Sequence, residues 1–125
     1  MTTRSHDIRI KRVYDPPADD DGARGGVDRL WPRGLRKENA VWSLWLKDVA
    51  PSPELRTWFG HAPERFAEFA RRYRAELAAN EGAVEPLDEL LHRGRVTLLY
   101  AAHDAEHNHA LVLADYIRHH RRGRS

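Results

Sequence analysis

Residues 96–102 read Val-Thr-Leu-Leu-Tyr-Ala-Ala, an almost unbroken apolar run that is rich in strand-forming side chains. A strand buried on both faces carries such a run, whereas a half-exposed strand alternates apolar and polar residues. Strands of this kind belong to parallel sheets whose two faces are covered by helices. The stretch therefore predicts the central strand of an α/β sheet.

Three segments around this strand repeat apolar residues every three or four positions, which is typical of amphipathic helices. The first begins at Pro63 and runs to about Asn80, and the second follows it and ends at Gly94. The third runs from about Asn108, a residue type that favours the cap position, to His119. Helices before and after a buried strand are the arrangement of an α/β domain.

The first half of the chain carries weaker signals of the same kind. Ile8–Tyr14 alternates apolar and polar residues, as a half-buried strand does, and Val27–Trp31 is typical of a second short strand. Glu38–Val49 has an apolar stripe with helical spacing and is predicted to form a short helix. Ser52 and Pro53 have the residue types of a helix cap and a first helical position.

Strands near both ends of the chain, with helices between them, predict the α/β fold class. We expect a single compact three-layer domain with a small, mostly parallel sheet flanked by helices. The length of 125 residues fits one domain, with a core at about residues 8–117 and a basic tail at residues 118–125.

The composition argues against several classes of protein. With 41% hydrophobic and 32% charged residues, the sequence fits neither a disordered chain nor a membrane protein. It contains no cysteine, which excludes disulfides, thiolate metal sites and iron–sulfur clusters. Met1–Tyr14 lacks the apolar core of a signal peptide, so we expect a cytoplasmic protein. A net charge of +2 says little about partners by itself.

A set of short motifs also occurs in a characteristic order. The motifs are Arg12–Pro16, Val27–Gly34 (Val-Asp-Arg-Leu-Trp-Pro-Arg-Gly), Lys37, Pro51–Ser52 with Leu55–Arg56, Thr97–Tyr100, and Asn108–Leu111 (Asn-His-Ala-Leu). With them the chain resembles the YeaO-like members of the DUF488 family from about Ile8 to Ile117. The resemblance implies one such domain over residues 1–125 and no established activity, because the family name records a domain of unknown function. The chain departs from its relatives at Gly25–Gly26, where they carry bulky aliphatic residues, and at His103, where many carry Lys or Arg.

The segment from Arg24 to Lys37 is rich in cations and surrounds one acid, Asp28. Ligands of open α/β sheets bind at the carboxyl ends of the strands, and the turn after Val27–Trp31 would project Arg33 from that edge. Arginine grips phosphate or carboxylate through two parallel hydrogen bonds. The predicted ligand-binding residues are Arg12, Arg29, Arg33, Lys37 and Arg56. The alternative is that these cations pair with neighbouring acids and that Trp31 belongs to the core.

A second candidate lies at the junction between the central strand and the last helix. His109 falls in the first turn of that helix, where the positive end of the helix dipole favours a neutral imidazole. A neutral ring can act as a base, so His109 and Asp28 are the candidate catalytic residues. We expect Asp28, Arg29, Arg33 and His109 to converge at one edge of the sheet.

The same junction is rich in metal-ligand residue types. His103, His107 and His109 could hold a divalent metal, although they lack the His-Glu-x-x-His spacing of a helical metal site. A haem is a second possible cofactor, with His109 or His61 as the axial ligand. The alternative is that these histidines only pack against neighbours or bond to the backbone.

Three hypotheses about function follow from these patterns. The first is a protein that binds an anionic, phosphate-bearing ligand such as a nucleotide or, weakly and without specificity, nucleic acid, and that could also perform acid–base catalysis. The second is a protein that binds a transition metal or haem through His109 and other histidines. The third is a protein-binding module with an exposed tryptophan patch. None of them involves a membrane.

Overall fold

The structure, a computed structural model, describes residues 7–35 and 44–124, with side chains described as far as His119 in the last helix. The described residues form a four-stranded sheet and four α-helices. The strands are β1 (Ile8–Arg12), β2 (Ala23–Gly26), β3 (Leu44–Trp45) and β4 (Val96–Tyr100). The helices are α1 (Pro53–Phe59), α2 (Phe66–Ala78), α3 (Glu81–Arg93) and α4 (His109–Arg124).

The sheet is parallel throughout and has the strand order β1-β4-β2-β3. All five residues of β4 are buried, and β4 pairs with β1 on one side and with β2 on the other. Leu98, for example, lies between Ile10 of β1 and Gly25 of β2. The structure therefore confirms both the α/β fold class and the central position of this strand.

The second strand is not where the sequence pattern placed it. The prediction of a strand at Val27–Trp31 is wrong, because β2 consists of Ala23–Gly26 and ends where the prediction begins. A Cβ atom on Gly25 would lie 3.0 Å from the Leu46 side chain, so the absence of a side chain lets Leu46 pack directly on the strand. The glycine pair thus reflects close packing against the sheet, which an apolar pattern cannot reveal.

The predicted helix at Glu38–Val49 is also wrong over its described part, and residues 38–43 lie outside the described residues. Leu44–Trp45 instead forms the edge strand β3, followed by a single 3-10 turn at Lys47–Val49. The Leu46 N–H donates to the Gly26 carbonyl at 2.7 Å, so pairing with β2 satisfies the backbone that a helix would have satisfied internally.

The helix boundaries follow the predicted capping residues. The Ser52 hydroxyl oxygen accepts a hydrogen bond from the Leu55 N–H at 3.2 Å, and the Asn108 side-chain oxygen accepts one from the Leu111 N–H, also at 3.2 Å. Helix α4 therefore begins directly after the loop that follows β4. None of the described helices has the length and apolar content of a membrane-spanning helix.

Candidate functional site

Asp28 and His109 meet at the carboxyl edge of the sheet. Asp28 lies two residues after the end of β2, and His109 opens the helix that follows the neighbouring strand β4. The His109 Nε2 atom is 3.3 Å from the Asp28 carboxylate and 2.9 Å from the Val27 carbonyl oxygen. The structure thus brings together two residues that the sequence analysis placed at one edge from the topology of parallel sheets.

The hydrogen bonds of His109 determine which ring nitrogen carries the proton. A carbonyl oxygen only accepts, so Nε2 donates its proton to Val27, with the Asp28 carboxylate as a second acceptor nearby. The other nitrogen, Nδ1, has no hydrogen-bond partner among the residues that the structure describes. In the neutral ring Nδ1 therefore has a lone pair that is available to a ligand.

Burial shifts the pKa values of this pair in opposite directions. Burial lowers the pKa of His109 below 6.5, and the opposing attraction of Asp28 does not cancel the effect. Burial also raises the pKa of Asp28, against the influence of His109, the Ala101 N–H and Arg56. The helix dipole predicts the same direction for the pKa of His109, but the main cause in the structure is loss of solvent.

The lowered pKa of His109 makes stability depend on pH. The unfolded chain binds a proton near pH 6.5, while the folded protein binds it only at lower pH, so this histidine costs stability as the solution is acidified. We measure the free energy of unfolding in urea for the wild type and for His109→Gln. We expect it to fall more for the wild type as the solution is taken from about pH 7.5 to about pH 5.5. An equal change in the free energy of unfolding of the two proteins over this pH range would contradict the lowered pKa of His109.

One predicted arginine, Arg56, acts on this pair through its charge. It lies on α1, is exposed, and is near enough for its charge to lower the pKa values of both Asp28 and His109. Its guanidinium forms no hydrogen bond or ion pair with any residue in the described ranges 7–35 and 44–124. Arg56 is therefore a cation that can bind an anion without breaking a contact with any described residue.

Two other predicted arginines bind backbone carbonyls instead of facing the pair. Arg12 donates from Nε to Ala102 at 3.0 Å and from a terminal nitrogen to Ala101 at 3.1 Å, which ties the end of β1 to the loop after β4. Arg29 donates to the Ala50 carbonyl at 3.2 Å, and its buried Nε has no partner within the described part of the chain. Both side chains hold loops at this edge of the sheet.

Of the remaining two candidates of the basic segment, Arg33 lies in an exposed turn and Lys37 lies outside the described residues. The Arg33 carbonyl oxygen accepts a hydrogen bond from the Tyr14 hydroxyl at 2.6 Å. Arg24, at the start of the same segment, forms a buried ion pair with Asp21, which also accepts from Lys11 Nζ at 3.2 Å. The basic segment therefore divides between structural contacts and an exposed turn.

The three predicted metal ligands do not form a cluster. His107 Nδ1 is 2.9 Å from the Asp104 carboxylate, and the His107 ring packs edge-on against Phe66 at 5.3 Å. His103 is exposed, and His109 is bonded to Val27. No group of three His, Asp or Glu side chains that could hold a metal occurs in the described ranges.

Tyr73 belongs to the site although its sequence pattern assigns it to the core. Its ring packs edge-on toward His109 with 6.3 Å between the centroids, and its hydroxyl donates to the Val49 carbonyl. Burial raises the pKa of the Tyr73 hydroxyl, so it stays a neutral donor. Tyr73 lies in the apolar stripe of α2, and no sequence signal distinguishes it from the core residues beside it. Its contact with His109 was therefore not predictable from the sequence.

Comparison with other proteins agrees with the motifs quoted above. Residues 7–124 match the family model described as the inactive DUF488-N3 subclade. The chain belongs to the DUF488 family. No solved structure matches the chain.

Two similar proteins match nearly the whole chain. An uncharacterised protein of Mycobacterium tuberculosis (strain H37Rv) is 46% identical over 110 residues, which are 88% of this chain and 92% of the relative. The uncharacterised protein YeaO of Escherichia coli (strain K12) is 45% identical over 111 residues, which are 89% of this chain and 96% of YeaO. The relatives thus establish membership of the family and leave the activity open.

Proposed function

We propose that this edge of the sheet binds a small phosphate-bearing ligand of the nucleotide class. The observation that carries the proposal is the exposed guanidinium of Arg56, which has no partner among the described residues and whose charge acts on the Asp28–His109 pair. Arginine is the side chain best suited to bind phosphate, because its planar fork forms two parallel hydrogen bonds. The amino terminus of α4 at the same edge adds a favourable potential for an anion.

Arg56 requires an anionic group in the ligand, and His109 requires a hydrogen-bond donor. Its free Nδ1 accepts a hydrogen bond, which a fully ionised phosphate cannot donate. The ligand therefore carries an N–H or O–H donor as well as an anionic group, and a nucleotide has both a phosphate and base or sugar donors. The Val27 carbonyl, with the Asp28 carboxylate nearby, holds the ring in this tautomer through Nε2.

We infer binding without turnover as the main role of the site. An Asp28–His109 pair could act as an acid–base catalyst, but the matching subclade carries the description inactive. Acidic residues interleave with the basic ones and leave a net charge of +2, so we expect only weak nucleic acid binding that salt abolishes. Tight duplex binding that survives high salt would contradict this assignment.

Removing the Arg56 guanidinium should weaken binding. We expect Arg56→Gln to bind adenosine 5′-monophosphate about tenfold more weakly than the wild type, since a charge-assisted hydrogen bond at an exposed site contributes about 1.4 kcal/mol. Isothermal titration calorimetry with this nucleotide, inorganic phosphate and adenosine measures the effect. The loss should be seen with the two phosphate-bearing probes and not with adenosine.

The matched control is Arg93→Gln. Arg93 is also exposed, but it ends α3 just before β4 begins, at the amino edge of the sheet. We expect this variant to bind like the wild type. Equal losses in both variants would show that only overall charge matters, and a wild type that binds none of the probes would refute the proposal. A Soret band or stoichiometric metal in the purified protein would favour the haem or metal hypothesis instead.

A further inference from the structure

The end of β1 is bound to three consecutive carbonyl groups of the chain that leaves β4. The Val13 N–H donates to the Tyr100 carbonyl at 2.7 Å. The Arg12 guanidinium donates from Nε to the Ala102 carbonyl at 3.0 Å and from a terminal nitrogen to the Ala101 carbonyl at 3.1 Å. One arginine thus holds the first two residues of the loop that follows β4.

The guanidinium of Arg12 is itself fixed by a second contact. Its central carbon lies over the Tyr14 ring, 4.8 Å from the centroid, which is the distance of a cation–π contact. The Tyr14 hydroxyl donates to the Arg33 carbonyl at 2.6 Å, so this ring is bonded to the turn after β2. Arg12 therefore has contacts on the face and on one edge of its planar guanidinium, and these contacts define its orientation.

The residues that Arg12 holds lead directly into the candidate site. The Asp28 carboxylate accepts a hydrogen bond from the Ala101 N–H and lies 3.3 Å from the Nε2 atom of His109. Ala101 thus binds Arg12 through its carbonyl and Asp28 through its N–H. A displacement of this one residue would move the carboxylate relative to the histidine ring.

The rest of the loop connects the same anchor to His109. Asp104 accepts a hydrogen bond from the His107 N–H at 3.1 Å, and the Asn108 side-chain amide donates to the Asp104 carbonyl at 2.9 Å. The loop is thus bonded internally from Asp104 to the residue that caps α4. Because His109 follows this cap directly, a loop that Arg12 holds at its start fixes the place of the ring.

We propose that Arg12 positions the Asp28–His109 pair through the loop after β4. Its bonds to the first two loop residues keep the carboxylate against the ring, so that Nε2 remains a donor and Nδ1 an acceptor. The edge of the guanidinium that would bind a phosphate already binds the two carbonyls. This inference rests on the function proposed above, and it replaces the direct contact with the ligand that the sequence pattern predicts for Arg12.

The first test examines the free protein. The Nε2 proton of His109 is bonded to the Val27 carbonyl in a side chain that is 13% exposed, so we expect it to give a resolved proton resonance in the wild type. Arg12→Gln should keep the fold, as circular dichroism checks, and lose this resonance through faster exchange with water. The matched control is Arg9→Gln, which removes an exposed arginine of the same strand that pairs with Asp20 at 2.9 Å. The control should keep the resonance.

The second test separates positioning from direct binding, with calorimetry as the measurement. If Arg12 acts through His109, Arg12→Gln weakens the binding of adenosine 5′-monophosphate and of adenosine alike, by about fivefold. The same substitution made in the His109→Gln variant should then change the affinity for the nucleotide by less than about twofold, because the residue through which it acts is gone. Arg9→Gln should bind both probes like the wild type.

The outcomes distinguish this inference from the proposed function. A loss for the nucleotide and inorganic phosphate but not for adenosine would show that Arg12 binds the phosphate directly, and would overturn the inference. A His109 resonance that persists in Arg12→Gln, or that is absent from the wild type, would overturn it too. If Arg12→Gln does not fold, Arg12→Lys keeps the charge without the planar fork and takes its place. If the wild type binds none of the probes, the proposed function is wrong, and the resonance alone decides whether Arg12 positions the pair.

Discussion

Gly22→Ala is expected to lower the free energy of unfolding by about 3 kcal/mol or more, the largest effect of any single methyl group that we consider. Gly22 has φ +70°, which disfavours any residue with a Cβ atom. The added Cβ would also lie 2.3 Å from the carbonyl oxygen of Arg95. That oxygen accepts the Ala23 N–H at 3.0 Å, where β2 joins β4. The methyl group must therefore push apart the two strands whose carboxyl ends lead to Asp28 and His109.

Two other glycines serve as matched controls for this substitution. Gly34 has a similar φ of 78° but open space around its Cα, so Gly34→Ala measures backbone strain alone, at about 1 kcal/mol. Gly82 lies in α3 with open space around it, and Gly82→Ala should leave stability unchanged or raise it by up to about 1 kcal/mol. Urea unfolding with unchanged m-values measures all three. A loss for Gly22→Ala no larger than that for Gly34→Ala would rule out the predicted clash.

His109→Gln is expected to keep the fold and to lose most of the ligand affinity, by about thirtyfold for adenosine 5′-monophosphate, because a half-buried hydrogen bond contributes about 2 kcal/mol. The glutamine amide can occupy the position of Nε2 and donate to the Val27 carbonyl, so the buried backbone acceptor stays satisfied. It places no acceptor where Nδ1 lies. Calorimetry measures the affinity and circular dichroism checks the fold.

His109→Asn makes the opposite change, because it removes the donor to the Val27 carbonyl and keeps an acceptor near the position of Nδ1. Asparagine is too short to reach Val27, but its side-chain oxygen lies near the position of Nδ1. We expect this variant to lose about 1–2 kcal/mol of stability, because the Val27 carbonyl loses a partner, and to retain more nucleotide affinity than His109→Gln. If both variants bind as tightly as the wild type, His109 serves only to hold the loop after β2.

The pairing of Asp28 with His109 depends on topology, and this is why it was predictable. Both residues follow strands of a parallel sheet, and the carboxyl ends of neighbouring parallel strands share one edge. Of the four residues predicted to converge, Asp28 and His109 meet although β2 occupies Ala23–Gly26 instead of Val27–Trp31, because Asp28 still leaves the sheet at its carboxyl edge. An error in strand boundaries therefore did not change the position of the site.

The roles of the arginines could not be predicted in the same way. Arg12 and Arg29 look like Arg56 in sequence, yet their guanidinium groups bind the carbonyls of Ala101, Ala102 and Ala50. Every residue has a carbonyl group, so no sequence pattern marks the ones that a distant arginine will reach. Which cation stays free for a ligand is decided by the path of the loops.

By itself, the sequence determined the elements whose signals are local. The apolar run of β4, the stripe of α2 and the caps at Ser52 and Asn108 depend on residue type and spacing, which fix burial and hydrogen bonding within a few residues. The family motifs are local signals too, because they are short runs of residues that the sequence alone shows.

Only the tertiary structure decided the features that depend on contacts between distant segments. The strand at Ala23–Gly26 pairs with β4 along its whole length, and the short strand β3 pairs with it on the other side, where Gly25 leaves room for Leu46. The low pKa of His109 likewise comes mainly from burial by distant segments, and the free guanidinium of Arg56 from the absence of a nearby acceptor in the described ranges. Residue types set which contacts are possible, and the packing of the folded chain selects among them.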